Sequence, residues 1–238
     1  MHRATPLTGL ALALFHATPA AATWTIVAVD PKTGEVGSAG ASCTPFVAGV
    51  VRLVPARGAI VAQAASNMQA KADGAAMIAD GKDAATVVAA ISDRRYDTSA
   101  PEQQYGVVTL AANGRPSAAA FTGGETAEVR GHLTARGVAV QGNMLVSRAV
   151  LTATLAAWRA AERRGLRMAE RLLLALEAGS RAGGDARCGV KTAQSAYLGV
   201  AKPDDAPDRL SLRIVVSTAR EDSTNPVSEV RRRFDKGG

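Results

Sequence analysis

The period of hydrophobic and polar positions changes several times along the chain and predicts the order of its elements. Apolar residues alternate with polar ones from Thr25 to Val29, and residues 35–42 return as a second strand after the turn Asp30-Pro31-Lys32-Thr33-Gly34. This pattern predicts a β-hairpin. Further strands are expected at residues 49–54, 59–64, 106–111, 117–121, 138–141, 196–201 and 210–217.

Four other segments carry a helical period. They are residues 66–79, which end before Gly81, a segment capped by Asp83 that runs to about residue 91, and residues 147–164 and 166–178, which Gly165 separates. Gly179 is expected as the C-cap of the last one. Strands alternating with helical pairs predict an α+β chain whose sheets need helical cover, and two sheets packed between two helical layers would satisfy this need.

The first 22 residues have the features of an export signal. Arg3 is followed by an apolar run over residues 7–15 and by Ala20-x-Ala22 before the expected cut. The run is too short for a membrane span, and no later segment could cross a bilayer. We therefore expect residues 1–22 to be a signal peptide and the protein to be periplasmic or secreted. The alternative is a disordered N-terminal extension.

Cleavage after Ala22 would make Thr23 the first residue of the mature chain. A threonine in this position carries a free α-amine beside its own hydroxyl, and the amine can act as the general base. Its unperturbed pKa of about 7.7–8.0 leaves much of it neutral near pH 7. Thr23 is therefore a candidate nucleophile, although small polar residues also follow signal peptides for ordinary reasons.

Length and charge limit the remaining possibilities. The 238 residues, of which 47% are hydrophobic, suffice for one large domain, expected over residues 23–218. Residues 219–238 are charged and are expected to form a solvated, partly disordered tail. Removal of residues 1–22 takes away Arg3 and no acid, which leaves 27 basic and 21 acidic residues. The arginines are scattered without interleaved aromatic residues, which argues against nucleic-acid binding.

The two cysteines fit an exported protein. Cys43 closes the second predicted strand, and Cys188 follows the fourth predicted helix. In an oxidising compartment they can form one disulfide, which would pin the Cys188 loop near Thr23. Two unpaired buried thiols are the alternative.

Motifs for common chemistries are missing. The chain has no zinc-protease helix, no paired CxxC, no phosphate loop and no dinucleotide fingerprint, so neither a metal ion nor a cofactor is expected. His132 is the one histidine after residue 22, and it lies in a loop-like setting. Polar side chains instead gather near predicted strand ends, namely Ser42, Gln63, Asn67, Gln141, Asn143 and the Asp185 of Gly183-Gly184-Asp185.

Several of these segments together resemble a known family. They are Thr-Trp-Thr-Ile-Val-Ala-Val-Asp-Pro-x-Thr-Gly at residues 23–34, Ala41-Ser42, Val140-Gln141-Gly142-Asn143, residues 173–179, Gly183-Gly184-Asp185 and Gln194-Ser195-Ala196. The order is similar to that of the uncharacterised DUF1028 family, over Thr23 to about Val216. That family is grouped with the N-terminal nucleophile (Ntn) hydrolases, which implies a four-layer αββα sandwich. Its cytosolic relatives begin Met-Thr, so methionine removal would expose the same threonine.

Together with the export signal, the resemblance leads to the hypothesis of an exported Ntn-type hydrolase that cleaves an amide bond. Thr23 Oγ would attack the carbonyl, and Asn143 with a backbone N–H would stabilise the oxyanion. Gln141 would orient Asn143, and Asp185 would hold the amine or a substrate ammonium, with Ser42, Gln63 and Asn67 as substrate-binding or supporting groups. The alternatives are a buried amide network for Gln141 and Asn143, a loop cap for Asp185 and simple packing for Ser42. The acid and lysine that better-known threonine-type Ntn hydrolases place after the nucleophile are missing, since the third strand offers only Arg52.

The substrate is expected to be a small amide or peptide-like molecule, and cell-envelope material is a plausible source. A second hypothesis of another class is a non-catalytic, peptidoglycan-related envelope-binding protein on the same fold. Because Ntn sandwiches tend to oligomerise, a homo-oligomer or an assembly subunit is a further expectation.

Overall fold

A computed structural model of the protein describes residues 23–219 and 224–237. These residues form ten β-strands in two antiparallel sheets and five α-helices, which confirms the predicted α+β class. The signal peptide predicted for residues 1–22 lies outside the described residues, as do residues 220–223 and Gly238. Within the described ranges, no helix is long and apolar enough to cross a membrane.

The larger sheet has six strands in the order β10-β9-β2-β1-β8-β7. Its central strand β1 is the start of the predicted hairpin, and it pairs antiparallel with β2 on one side and β8 on the other. The strands are β1 (Thr23–Val29), β2 (Val36–Ser42), β7 (Gly131–Ala135), β8 (Val138–Asn143), β9 (Ser195–Ala201) and β10 (Leu212–Ser217).

The smaller sheet consists of β3 (Val51–Val54), β4 (Gly58–Ala64), β5 (Gln103–Leu110) and β6 (Pro116–Thr122), in this order. Its inner face packs against the inner face of the larger sheet. Buried aliphatic residues of both sheets meet there in one cluster, among them Val27, Val29, Val61, Val108 and Ala139.

Helices cover the outer face of each sheet. Helices α1 (Met68–Ala79) and α2 (Ala84–Ile91) pack on the smaller sheet, where Ile78 and Val87 contact the cluster around Ile60. Helices α3 (Ala149–Arg163) and α4 (Met168–Arg181) pack on the larger sheet, where Trp158 and Leu172 join the cluster around Ile26. Neither sheet therefore exposes its apolar outer face to water.

The C-terminal segment differs from the predicted solvated tail. Asn225 caps α5 (Pro226–Asp235) by accepting a hydrogen bond from the Val227 N–H at 2.9 Å. Val227 and Val230, three residues apart, are buried in the cluster on the larger sheet, and Arg231 pairs with Glu177 of α4 at 2.7 Å. The sequence does not predict this helix because its composition is charged. Two apolar residues on one face, Val227 and Val230, are enough to dock it on the larger sheet.

Strand β7 has no counterpart among the predicted strands. Its sequence begins with a glycine, and its side chains at His132 and Thr134 are exposed, so no apolar run indicates it. It is defined by antiparallel pairing with β8, in which His132 lies opposite Gln141. His132 therefore belongs to a strand, and not to the loop expected from the sequence.

The predicted disulfide is present. Cys43 and Cys188 are joined across a sequence separation of 145, and no free cysteine remains among the described residues. The bond fastens the residue after β2 to a 3-10 helix, Ala186–Lys191.

We predict that the double variant Cys43→Ser/Cys188→Ser unfolds more easily, because the bond closes a long loop. The free energy of unfolding should fall by about 2–5 kcal/mol, measured by urea titration under oxidising conditions. Reductant should bring the unmodified protein to the midpoint of the variant. Equal midpoints for the variant and the oxidised protein would contradict the prediction.

Candidate functional site

The alternation of side chains along β1 determines what faces the gap between the sheets. Successive side chains of a strand point to opposite faces. Trp24 and Ile26 belong to the cluster under α3 and α4, so Thr23 and Thr25 point towards the smaller sheet. Thr23 stands at the first position of the central strand and is 1% exposed.

The register of the larger sheet places three of the predicted site residues in one row. Thr23 lies opposite Ser42 of β2 and opposite Asn143 of β8, and Ser42 in turn lies opposite Ser195 of β9. Thr23 Oγ1 donates a hydrogen bond to Ser42 Oγ at 3.2 Å. Ser42 Oγ also accepts from Thr44 Oγ1 at 3.0 Å. The row therefore puts a hydroxyl and a carboxamide beside Thr23.

The gap between the sheets is apolar at one end of the molecule and polar at the Thr23 end. Five polar side chains fill the polar end, and each is at most 1% exposed: Thr25, Gln63, Gln104, Gln141 and Asn143. Burying amides and hydroxyls costs free energy unless they are hydrogen-bonded. The hydrogen bonds among these five side chains therefore decide which polar atoms remain available to a group beside Thr23.

Gln104 organises this group, although the sequence reasoning did not single it out. Its Nε2 donates to the carbonyl oxygens of Gly142 at 2.9 Å and Gly131 at 3.1 Å. Because a carbonyl can only accept, the side-chain amide has one possible orientation. Its Oε1 then accepts from Gln63 Nε2 at 2.7 Å and from Asn143 Nδ2 at 3.1 Å. The strand predicted at residues 106–111 began too late to include Gln104.

The bonds of Gln104 fix the neighbouring groups in sequence. Gln63 must turn its Oε1 away, and this atom accepts from Thr25 Oγ1 at 2.7 Å. The Thr25 hydroxyl uses its one hydrogen in this bond, so its oxygen accepts a hydrogen bond from Gln141 Nε2 at 2.5 Å. The expected role of Gln141 changes accordingly: Gln141 holds Thr25, and Gln104 holds Asn143.

Two buried oxygens in this region have no hydrogen-bond partner among the described residues. Gln141 Oε1 packs against Gly106, where a Cβ would lie 2.0 Å from it, so that space is filled. Asn143 Oδ1 lies in the row with Thr23. Buried acceptors without a partner are uncommon in native proteins. Asn143 can therefore still offer its oxygen and its second Nδ2 hydrogen to a group beside Thr23.

Asp185 joins three loops at this end of the molecule. Its buried carboxylate accepts from the Cys43 N–H at 2.6 Å and from Arg187 Nη2 at 2.9 Å. It also caps the 3-10 helix by accepting from the Arg187 N–H at 3.0 Å, and its backbone forms a bridge with Leu145. Of the two roles expected for Asp185, the structure thus shows the loop cap.

The two glycines before Asp185 permit close packing. Gly183 has a φ of +110°, and a Cβ there would lie 2.9 Å from Val146. Gly184 has a φ of +58°, and a Cβ there would lie 2.8 Å from the Trp24 ring. Only glycine adopts such conformations at no steric cost. The two glycines therefore leave room for Val146 and the Trp24 ring, and the Asp185 that follows them holds the loop through its hydrogen bonds.

Asn67 does not belong to the Thr23 group. It caps α1 by accepting from the Ala70 N–H at 2.9 Å, and its Nδ2 donates to Asp97 at 2.6 Å. Gln103 donates to the same carboxylate at 2.5 Å. These hydrogen bonds, that of Gln103 first, lower the pKa of Asp97. The polar atoms of Asn67 are thus engaged in a structural cap.

The residues near this end hold no candidate metal centre. Within residues 23–219 and 224–237, no three His, Cys, Asp or Glu side chains lie together. Lys71 of α1 donates to the Gly49 carbonyl oxygen, and burial and then the charge of Arg52 lower the pKa of its ammonium. The site therefore contains the Thr23 hydroxyl, the carboxamides of the buried cluster and the Asp185–Arg187 ion pair.

The described residues thus define an α+β protein with two facing antiparallel sheets and a buried hydroxyl–amide cluster at the start of the central strand. The sequence profile described as "Family of unknown function (DUF1028)" matches residues 23–229, and the chain belongs to this family. A crystal structure of a DUF1028 protein from Silicibacter pomeroyi is similar, with 27% sequence identity and a TM-score of 0.74. The similarity covers 91% of this chain and 89% of that one. No curated protein matches the chain significantly.

We predict that Gln104→Ala lowers the free energy of unfolding by about 3 kcal/mol or more. The change would strip hydrogen bonds from Gln63, Asn143 and two carbonyls, and each buried polar group left unpaired costs about 1–3 kcal/mol. Denaturant titration measures the loss. Gln69→Ala serves as the control, because Gln69 is an exposed glutamine whose amide bonds only Asp73, and it should change stability by less than about 0.5 kcal/mol. Similar losses for both variants would contradict the proposed centrality of Gln104.

Proposed function

We propose that the protein is an exported Ntn-type hydrolase that cleaves an amide bond with Thr23, exposed by removal of residues 1–22. The observation that carries the proposal is the row Ser42–Thr23–Asn143 at the start of the central strand. The family match begins at the same threonine. An amide hydrolase needs a nucleophile beside a donor for the oxyanion, and this row supplies both residue types.

The four-layer αββα sandwich of the Ntn hydrolases is part of the same proposal. The two facing sheets with helices on both outer faces are consistent with it. In such an arrangement the first residue of a central strand lies at the edge of the gap between the sheets, which is where β1 begins with Thr23.

The chemistry follows from the two groups of a terminal threonine. Thr23 Oγ gives its proton to the α-amine as the C–O bond to the substrate carbonyl forms. The second Nδ2 hydrogen of Asn143 and a backbone N–H stabilise the oxyanion. The α-ammonium then protonates the leaving nitrogen as the C–N bond breaks, which leaves an ester on Thr23. Water hydrolyses this ester with the same amine as base.

The electrostatics at the strand end suit an amine that must be neutral. An unpaired carboxylate close by would favour the ammonium and raise its pKa. Asp185 is instead paired with Arg187 and with two backbone N–H groups. Its charge is therefore compensated, so it does not stand as an unpaired carboxylate at this strand end.

We predict that protein from an export-competent host begins Thr-Trp-Thr-Ile. Ala20 and Ala22 occupy the −3 and −1 positions for a cut before Thr23 and for no neighbouring cut. Intact mass and N-terminal sequencing decide the matter. A start at Trp24, or retention of Met1 in exported material, would end the proposal.

We predict that Thr23→Ala abolishes amide hydrolysis, and that one extra residue before Thr23 does the same because it removes the free amine. Thr23→Ser should retain part of the activity, since it keeps both groups. The assays are turnover of an amide library that includes muropeptides and acyl-amino acids, and mass spectrometry after treatment with a β-lactone. Thr33→Ala, in the exposed turn after β1, is the matched control and should leave activity unchanged.

Asn143→Ala should lower kcat by about 10²–10³-fold if this residue is the oxyanion donor. The fold should survive, because Gln104 Oε1 keeps its bond from Gln63. A smaller kinetic loss would assign Asn143 to structure alone.

If the processed protein turns over nothing and acquires no adduct at Thr23, the envelope-binding hypothesis replaces the hydrolase.

A further inference from the structure

A cleft lies at the end of the central strand opposite Thr23. Thr23 begins β1 and Val29 ends it, and Val29 and Asp30 line the cleft. The turn between β7 and β8 and the last turns of α3 form its other sides. Its volume is about 600 Å³, which lies within the range of about 300–1,000 Å³ that is typical of small-molecule sites.

The lining of this cleft is strongly basic. Five basic and two acidic side chains line it, so the lining has a net charge of +3. The basic residues are Lys32, Arg136, Arg159, Arg163 and Arg171. A cleft whose walls carry one sign of charge raises the local concentration of ions of the opposite sign. The cleft therefore favours an anionic ligand.

One of the five cations is already neutralised. Arg171 Nη1 lies 3.0 Å from Asp30 Oδ2, and these side chains are 12% and 5% exposed. The Arg171 guanidinium also lies 5.8 Å from the centre of the Trp158 ring, another part of the lining. This ion pair is therefore a fixed part of the wall, and the other four cations carry the excess charge.

The other four cations lack partners of their own. Lys32, Arg136, Arg159 and Arg163 are exposed, and none of their side chains forms an ion pair or a hydrogen bond with any residue of 23–219 or 224–237. Arg159 and Arg163 are four residues apart on α3, where like charges face each other and destabilise a helix. An anion in the cleft would relieve this repulsion.

Backbone hydrogen bonds hold two sides of the cleft in place. Asp30 Oδ1 accepts from the Lys32 N–H at 2.8 Å. The Val29 N–H donates at 2.9 Å to the carbonyl oxygen of Gly137, the residue after Arg136. The turns that carry Lys32 and Arg136 are thus tied to the end of β1. Only side chains need to become ordered when a ligand binds.

We propose that this cleft binds a ligand with two or more neighbouring phosphate groups. Three of its four unpaired cations are arginines, and a guanidinium forms paired hydrogen bonds with phosphate oxygens. A single carboxylate would occupy one guanidinium and leave the others unpaired, whereas adjacent phosphates present anionic oxygens to several cations at once. The site is separate from the Thr23 row and does not depend on the proposed hydrolase activity.

Calorimetry with inorganic anions tests the ligand class. Orthophosphate, pyrophosphate and tripolyphosphate are titrated into the protein in about 0.1 M sodium chloride, where exposed charges more than about 10 Å apart are largely screened. Affinity should rise by at least about tenfold from orthophosphate to tripolyphosphate, because more charged hydrogen bonds form. Sulfate bound as tightly as tripolyphosphate would overturn the inference.

Paired substitutions test the place of binding. Arg159→Gln with Arg163→Gln should weaken tripolyphosphate binding by at least about tenfold, because two charged donors are lost. The matched control is Arg52→Gln with Arg213→Gln, which removes the same charge from two exposed arginines that line another cleft. The control should change affinity by less than about twofold. Equal losses in the two double variants would overturn the inference.

A gain in affinity separates binding from damage to the fold. Glu162 carries the acidic side chain of the lining that is not paired with Arg171. Glu162→Gln removes its repulsion of an anion, so tripolyphosphate should bind about two- to fivefold more tightly. Unchanged or weaker binding by this variant would contradict the proposed site.

Vesicles distinguish two sources of adjacent phosphates. Vesicles of phosphatidylcholine with cardiolipin present pairs of phosphates in a lipid headgroup. Flotation of the protein with them that is lost in the Arg159/Arg163 double variant would support the site and assign it to a headgroup. Tripolyphosphate binding without flotation would support the site and assign it to a free oligophosphate. Binding of neither probe would reject the site and leave the Thr23 proposal untouched.

Discussion

The burial of Trp24 is the constraint on which the candidate site depends. Its side chain is fully buried under α4, where Gly179 and Gly184 leave room that no Cβ could share. Side chains of a strand alternate, so seating Trp24 on the helical face commits Thr23 and Thr25 to the gap between the sheets. A register shift of one residue would turn the Trp24 ring towards the gap and the hydroxyls of Thr23 and Thr25 towards the helices. The packing of an indole thus determines where a hydroxyl stands.

The same region shows how the fold tolerates polar groups in its interior. Val27 and Val29 continue the inner face of β1 into a cluster of buried aliphatic residues, whereas Thr25 meets the carboxamides. Gln104 makes this possible because its bonds to two carbonyls orient every amide that follows. Without such a fixed starting point, each buried amide could flip, and the row beside Thr23 would have no defined donor.

Prediction from sequence succeeded where the signal was local and failed where it depended on distant pairing. The hairpin, the helix pairs and the Cys43–Cys188 bond could be foreseen from turns, period and compartment. Gln104 could not, because two adjacent buried glutamines precede an apolar run and only the sheet register shows which one faces the gap between the sheets. Asn67 was grouped with the gathered amides, whereas the structure shows it as the cap of α1, because a helix cap and a site residue can use the same side chain. The α5 helix was missed because tertiary docking of Val227 and Val230 outweighs local charge.

Two features at the Thr23 end cost stability and have no structural compensation in the described residues. Asn143 Oδ1 is buried without a partner, and Phe46 and Val190 expose apolar surface on loops that a disulfide and a buried ion pair hold in place. A chain shaped for stability alone would satisfy the first and bury the second. Local violations of this kind concentrate at functional sites. Both occur at the strand end that carries the proposed site, so they support that proposal on physical grounds that are independent of the family match.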